Sequence, residues 1–181
     1  MLHIVIPEGE FFNEKTNEFI TTSRVDITLE HSLVSISKWE SKWHKPFLGD
    51  GEKTDEETID YIKCMTVSQN IKPEVYNHLT KQNLEDIHNY INDPMTATTI
   101  NEQKQNSRHK KEIITSEVIY YWMIALNIPF ECQRWHINRL LTLIRVCDIK
   151  SQPQKKMGRN EILQRNRELN AARKKRLNTR G

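Results

Sequence analysis

Glycine is scarce in this chain. Five glycines among 181 residues stand too far apart to build a GxGxxG or Walker-type loop, so no backbone cradle for a nucleotide phosphate is encoded. No GxSxG is present either, which removes the nucleophile elbow of a hydrolase. The three cysteines, Cys64, Cys132 and Cys147, are odd in number, widely spaced and set among apolar neighbours. They are expected as reduced thiols in the core, not as a disulfide framework. No apolar run approaches the roughly 18 residues of a membrane span. Met1–Pro7 lacks the basic start, long apolar stretch and small-residue cleavage site of a secretory signal. The expectation is a cytoplasmic protein with no membrane anchoring.

Metal-binding and catalytic patterns are equally thin. Cys132 and His136, four apart, could share a helix face, but a zinc site needs three or four ligands and nothing nearby completes it. His31, His44, His78 and His88 stand without spaced cysteines or an HExxH pattern. Asp55, Glu56 and Glu57 suit the first turn of a helix, where negative charge is favoured, better than a hydrolytic carboxylate cluster. No enzyme, metal or cofactor is therefore expected.

What the chain does have is a division of charge. Lys150–Gly181 holds eleven Lys or Arg against Glu161 and Glu168, a net +9, while the preceding 149 residues sum to −6. An acidic body joined to a basic tail points to a partner and not to a reaction. One compact domain over 1–149 and a basic helical extension over 150–181 are predicted.

The first 31 residues carry strand periodicity. Leu2, Ile4 and Ile6 alternate with polar or outward positions, as do Val25, Ile27 and Leu29, and a hairpin fits between Phe11-Phe12 and Phe19-Ile20-Thr21 across the polar Asn13–Asn17. From Ser32 to 149 the spacing is helical. Leu33, Ile36, Trp39 and Trp43 mark a helix ending by Pro46. Thr54 and Glu57 form a capping box, Pro73 suits a first helical turn, and Leu84, Ile87 and Ile91 trace a stripe. Residues 95–111 are expected to form a long, partly mobile loop. Thr115–Cys147, with Val118, Ile119, Trp122, Met123 and Leu126 on one stripe and Tyr120, Tyr121 and Ile124 on much of the rest, predicts a central αα-hairpin broken at Asn127-Ile128-Pro129. The fold class is α+β, predominantly helical, with a small N-terminal antiparallel sheet or hairpin, the central αα-hairpin and a basic C-terminal helix.

That last helix runs from Arg159 to Leu177 without Pro or Gly, and only Ile162, Leu163, Leu169 and Leu177 give it an apolar side. Lys156, Arg159, Arg165, Arg167, Arg173, Lys174, Lys175 and Arg176 could neutralise phosphates. With no aromatics among them, nucleic-acid binding would be unspecific. The same segment suits an acidic protein surface, its charge speeding encounter and its leucines setting register.

Four segments resemble the tail assembly chaperones of tailed, siphophage-like bacteriophages: Leu29–Leu48 (LEHSLVSISKWESKWHKPFL), Tyr61–Thr66 (YIKCMT), Asp93–Thr98 (DPMTAT) and Ile114–Cys147 (ITSEVIYYWMIALNIPFECQRWHINRLLTLIRVC). The resemblance implies a non-enzymatic helper in the host cytoplasm that binds the helical tape-measure protein during tail morphogenesis. In that role Arg159, Ile162, Arg165, Leu169, Arg173 and Arg176 would form a charged contact arm, and Trp39, Trp43, Phe47 and Leu48 around Pro46 an apolar grip. Self-association would suit an assembly protein. The alternatives are a structural virion component, such as a tail-completion or head-tail connector protein, and a nucleic-acid-binding regulator.

Overall fold

The computed structural model describes residues 1–13, 17–100, 113–151 and 158–177. Among the described residues helices predominate, and the fold class is α+β. Chain contacts divide it into two units, Met1–Asp148 and Ile149–Gly181.

Four strands open the first unit: β1 (Leu2–Ile6), β2 (Gly9–Asn13), β3 (Glu18–Thr22) and β4 (Val25–Leu29). β1 pairs antiparallel with β4 and β2 with β3, as two two-stranded sheets. The register is continuous across the break between them: Leu2 faces Leu29 and Ile6 faces Val25, then Gly9 faces Thr22 and Asn13 faces Glu18. The four strands are therefore one long antiparallel ribbon interrupted where Pro7, which has no N–H to donate, falls in the ladder. Ile4, Ile6, Ile27 and Leu29 are buried on one face, as the alternation predicts, while Val5 and Asp26 are exposed. Residues 14–16 of the expected hairpin loop, and the side chains of Phe11 and Phe12, lie outside the described residues. β2 runs close to the His78 ring, since a Cβ on Gly9 would meet its Nδ1 at 2.8 Å.

The ribbon leads directly into α1 (Leu33–Trp43), capped by Ser32, whose N–H donates to Ser35 Oγ at 3.0 Å. The helix closes before Pro46: His44 takes a left-handed φ of 52° and donates its N–H to Glu40 O. α2 (Asp55–Met65) starts with the expected box, Thr54 Oγ1 accepting from Glu57 N–H at 3.2 Å and Glu57 Oε2 from Thr54 N–H at 2.9 Å. The chain leaving α2 adds to the outer edge of β4, where Glu30 N–H bonds Met65 O and Val67 N–H bonds Thr28 O. A 3-10 turn (Pro73–His78) and α3 (Lys81–Asn92) follow. The buried side of α3 is Asn83, Ile87 and Tyr90; Leu84, expected in the stripe, is 40% exposed because Asn83 turns inward to donate to Val5 O at 3.2 Å. After α3 the chain is irregular to residue 100, and the remainder of the expected loop, 101–111, lies outside the described residues.

α4 (Ser116–Ala125), a 3-10 turn (Phe130–Arg134) and α5 (Ile137–Ser151) complete the unit. The two helices of the expected αα-hairpin are present in chain order, but they make few close contacts with each other, and the central place expected for them belongs to α1, whose nearest helix neighbours are α2 and α4. Leu33, Ile36 and Trp39 of α1 are almost fully buried, whereas α4 buries only Ser116, Ile119 and Met123. A buried carboxylate joins these parts. Glu40 accepts from Phe47 N–H through Oε1 and from Ser116 N–H, the first residue of α4, through Oε2, both at 2.7 Å. An anion at that helix start gains both hydrogen bonds and the favourable dipole. Cys132 is buried, and Cys64 and Cys147 are half-buried against the core.

The second unit takes in the last residues of α5, 149–151, and its main described element is α6 (Arg159–Leu177).

Candidate functional site

The corner around Pro46 is built on α1 and its seam with α2. Trp39 is 1% exposed and donates its indole N–H to Glu57 O at 2.9 Å; Phe47 is 8% exposed, its ring 5.2 Å from Trp39 and 4.0 Å from Tyr61. Both are core residues, which corrects their expected place in an apolar grip. A ring on the inner face of the most central helix gains most by sealing the seam, where each buried aromatic removes roughly 150–250 Å² from water. Trp43 is half-buried, stacks on Trp39 at 6.2 Å and donates Nε1 to Asp60 Oδ2 at 2.9 Å, so it too is committed within the fold. Leu48 alone of the four is exposed, at the rim of a recess of about 500 Å³ that Trp39, Lys45, Lys53, Glu57 and Ile114 also line.

Charges at this corner are internally matched. Lys42 pairs with Asp60 and Lys45 with Glu57. Burial would raise the Asp60 carboxyl, but the Lys42 and Trp43 hydrogen bonds outweigh it and hold Asp60 below the usual carboxylate range. Lys45 and the Thr54 N–H lower Glu57 similarly. Lys53 donates to Phe47 O at 2.8 Å with its ammonium 4.3 Å from the Phe47 ring centre; burial pushes it below the usual lysine range, and Glu57 partly offsets this.

A second polar cluster lies deep in the same unit. His31 Nδ1 bonds the Tyr61 hydroxyl, and the His31 and His136 rings meet edge to face at 4.9 Å. His136 Nδ1 accepts from Asn138 N–H at 3.3 Å and its Nε2 reaches the Tyr90 carbonyl at 2.9 Å, the pattern of a neutral ring protonated at Nε2. Burial, with His136 adding to it, drives His31 down to about 3, and burial also lowers His136. The Tyr61 phenol is pushed well above its usual range by burial. With His31 at 2% and Tyr61 at 3% exposed, the cluster is closed to a substrate. It is a neutral tie from the β4–α1 junction to α2, α3 and α5, and it gives His136 a structural role.

α6 carries the other expected site residues. Ile162 and Leu169 are 45% and 46% exposed, and Arg165, Arg173 and Arg176 are exposed with them. At 3.6 residues per turn these five fall within an arc of about 80°. Arg159 begins the helix, and its side chain lies outside the described residues, as do Lys155 and Lys156. Every described side chain of α6 is exposed, so the segment has the character of a contact arm and not of a core helix.

One surface escaped the sequence reading. On α4, Tyr121 and Ile124 are 66% and 61% exposed, and Phe130 in the following turn is 53% exposed. Their periodicity was visible, but an apolar position on a helix has the same signature whether a core or a partner covers it. Among the described residues no group of three His, Cys, Asp or Glu could hold a metal, and no helix is long and apolar enough to cross a membrane. No family model, curated protein or solved structure matches this chain.

Proposed function

We propose that this is a non-enzymatic tail assembly chaperone of a siphophage-like bacteriophage, acting in the host cytoplasm on the tape-measure protein. The observation that carries the reading is α6: a helix of 19 residues, about 28 Å long, with seven basic and two acidic residues and every described side chain open to solvent. Such a helix gains most of its order from a partner. A tape-measure protein awaiting its tube exposes long apolar helical faces. A protein that covers them lowers the concentration of the aggregating state by mass action.

The resembling segments support the same reading in an unexpected way. Leu29–Leu48, Tyr61–Thr66 and Ile114–Cys147 supply Leu33, Ile36, Trp39, Tyr61, Met65, Ile119, Met123 and Ile137 to the core, and also Glu40, His31 and His136. Asp93–Thr98 lies at the surface, its start fastened by Asn138, which donates to Asp93 O at 2.8 Å. The likeness thus lies in a scaffold, which fits a binding protein without a chemical signature. α6 lies outside all four segments.

Nuclease-treated pull-down of the tagged full chain from infected cells, with mass spectrometry of bound proteins and of purified particles, tests this. Capture of tape-measure protein by a bait missing from finished particles is expected. A bait present in mature particles and bound to connector or tail subunits would make the protein a virion component. Recovery only before nuclease treatment would make it an unspecific nucleic-acid binder.

A further inference from the structure

α4 is the most uniformly apolar helix of the chain, with Glu117 its only charged residue, yet only one side of it faces α1. Glu117 lies three and four residues before Tyr120 and Tyr121, and Ile124 four and three residues after them, so the four share the outer face. The strip continues into the next turn, where the Phe130 ring centre lies 6.4 Å from that of Tyr120. Tyr120 is held in place by its hydroxyl, which donates to Gln133 Oε1 at 2.9 Å. The result is a short ridge of two tyrosines, an isoleucine and a phenylalanine on a well-anchored helix. Leaving aromatics of this size in water forgoes burial that α4's composition is suited to.

Charge identifies the occupant. Glu117 stands at one end of the ridge, held below the usual carboxylate range by hydrogen bonds within the first turn of α4, from its own backbone N–H and from Thr115 and Ser116. Glu131 stands at the other end beside Phe130, with Arg134 the one exposed cation of the same turn. A second copy presenting the same face would set its own Glu117 and Glu131 against these two carboxylates, like charge against like. A ridge at helical spacing takes another helix, ridge into groove.

We propose that the outer face of α4, through Tyr121, Ile124 and Phe130, is the apolar grip for a client helix whose aliphatic stripe is flanked by Lys or Arg. This rests on the client-binding reading above and replaces the Trp39–Phe47 corner as the place where it happens. At this face α4 supplies the apolar contact, and Glu117 and Glu131 at its ends supply the charge.

The probe is a fluorescein-labelled amphipathic peptide of about 20 residues with leucine at helical spacing and lysine flanks, compared with the same peptide carrying glutamate flanks, by anisotropy at physiological salt. The neutral double variant Tyr121→Gln/Ile124→Gln should lose at least about tenfold in affinity for the lysine peptide, while any hold of the basic extension on the glutamate peptide should be the same in the variant and the unchanged chain. Leu84→Gln, an equally neutral change at an exposed leucine on α3, should bind as the unchanged chain does. Circular dichroism melts establish that both variants are folded. Unaltered binding by the double variant would show that the peptide is held by charge elsewhere, and absence of binding by the unchanged chain would remove the site; either overturns the proposal. A dimer of the unchanged chain that the double variant abolishes, read by light scattering, would assign the face to a second copy and overturn it too. In the infected-cell pull-down, tape-measure capture undiminished by the double variant sinks the α4 site alone, whereas no capture by the unchanged chain sinks the chaperone reading alone.

Discussion

α1 and α4 are helices of similar length, 11 and 10 residues, with opposite relations between composition and burial. α1 contains Lys38, Glu40, Lys42 and three serines, yet Leu33, Ile36 and Trp39 are the centre of the core. α4 contains one charged residue and leaves Tyr121 and Ile124 more than half exposed. Total hydrophobicity therefore does not decide which helix is central. What decides is whether the apolar residues are concentrated on one face and whether the polar ones find work. α1 concentrates them and uses Glu40 to hold both the Phe47 turn and the start of α4. α4 spreads them round its circumference, and one neighbour can cover only one side.

That contrast can be broken or sharpened by measurement. Trp39→Ala should cost about 3–5 kcal/mol, because it opens a cavity at the α1–α2 seam and leaves Glu57 O without its indole donor. A chemical-denaturation midpoint near that of the unchanged chain would remove α1 from the centre. Lowering pH should act next most strongly. His31 titrates at about 3 in the folded protein, below the ordinary histidine value of 6.5, so the unfolded chain binds the extra proton. The stability this group contributes is complete above pH 6.5 and is lost as pH falls toward 3, by about 3 kcal/mol between pH 7 and 4. A His31 ring that titrates near 6.5 by NMR in the folded state would contradict the sealed cluster.

Glu40→Gln should cost about 1–3 kcal/mol, since an amide offers one acceptor oxygen where two backbone N–H groups need one each. Urea denaturation of that variant with no loss of stability would show that α4's start is satisfied in another way. Ile124→Gln, on the open face of α4, should shift stability by less than about 0.5 kcal/mol. A loss of several kcal/mol there would mean that the face is covered within the folded chain. The three substitutions rank the two helices by burial and not by hydropathy.

Several features were legible because they are local. The Thr54–Glu57 box, the alternation of Ile4, Ile6, Ile27 and Leu29, and the punctuation of α1 by Pro46 and of the first turn by Pro73 depend on residues within a few positions of one another. Long-range choices were not. Asn83 displaced Leu84 from the buried stripe because its amide meets Val5 O, 78 residues away. Of the proposed contact residues, Leu48, Ile162, Arg165, Leu169, Arg173 and Arg176 are at the surface as expected, while Trp39 and Phe47 are interior. Periodicity gives the side of a helix that is apolar and is silent on what lies against it.

By itself the sequence determined the strand and helix segments, the helix caps, the division of charge between an acidic body and a basic extension, and the absence of a phosphate loop or cysteine framework. Those follow from backbone preference, local hydrogen bonding and composition. The tertiary structure alone decided that α1 is the hub, that His31, Tyr61 and His136 form one sealed neutral cluster, that Glu40 serves two distant backbone amides, and that α4 is left with an uncovered apolar ridge. Each of these depends on which surfaces meet across long stretches of chain, and such meetings are settled by competition for burial among all the helices at once.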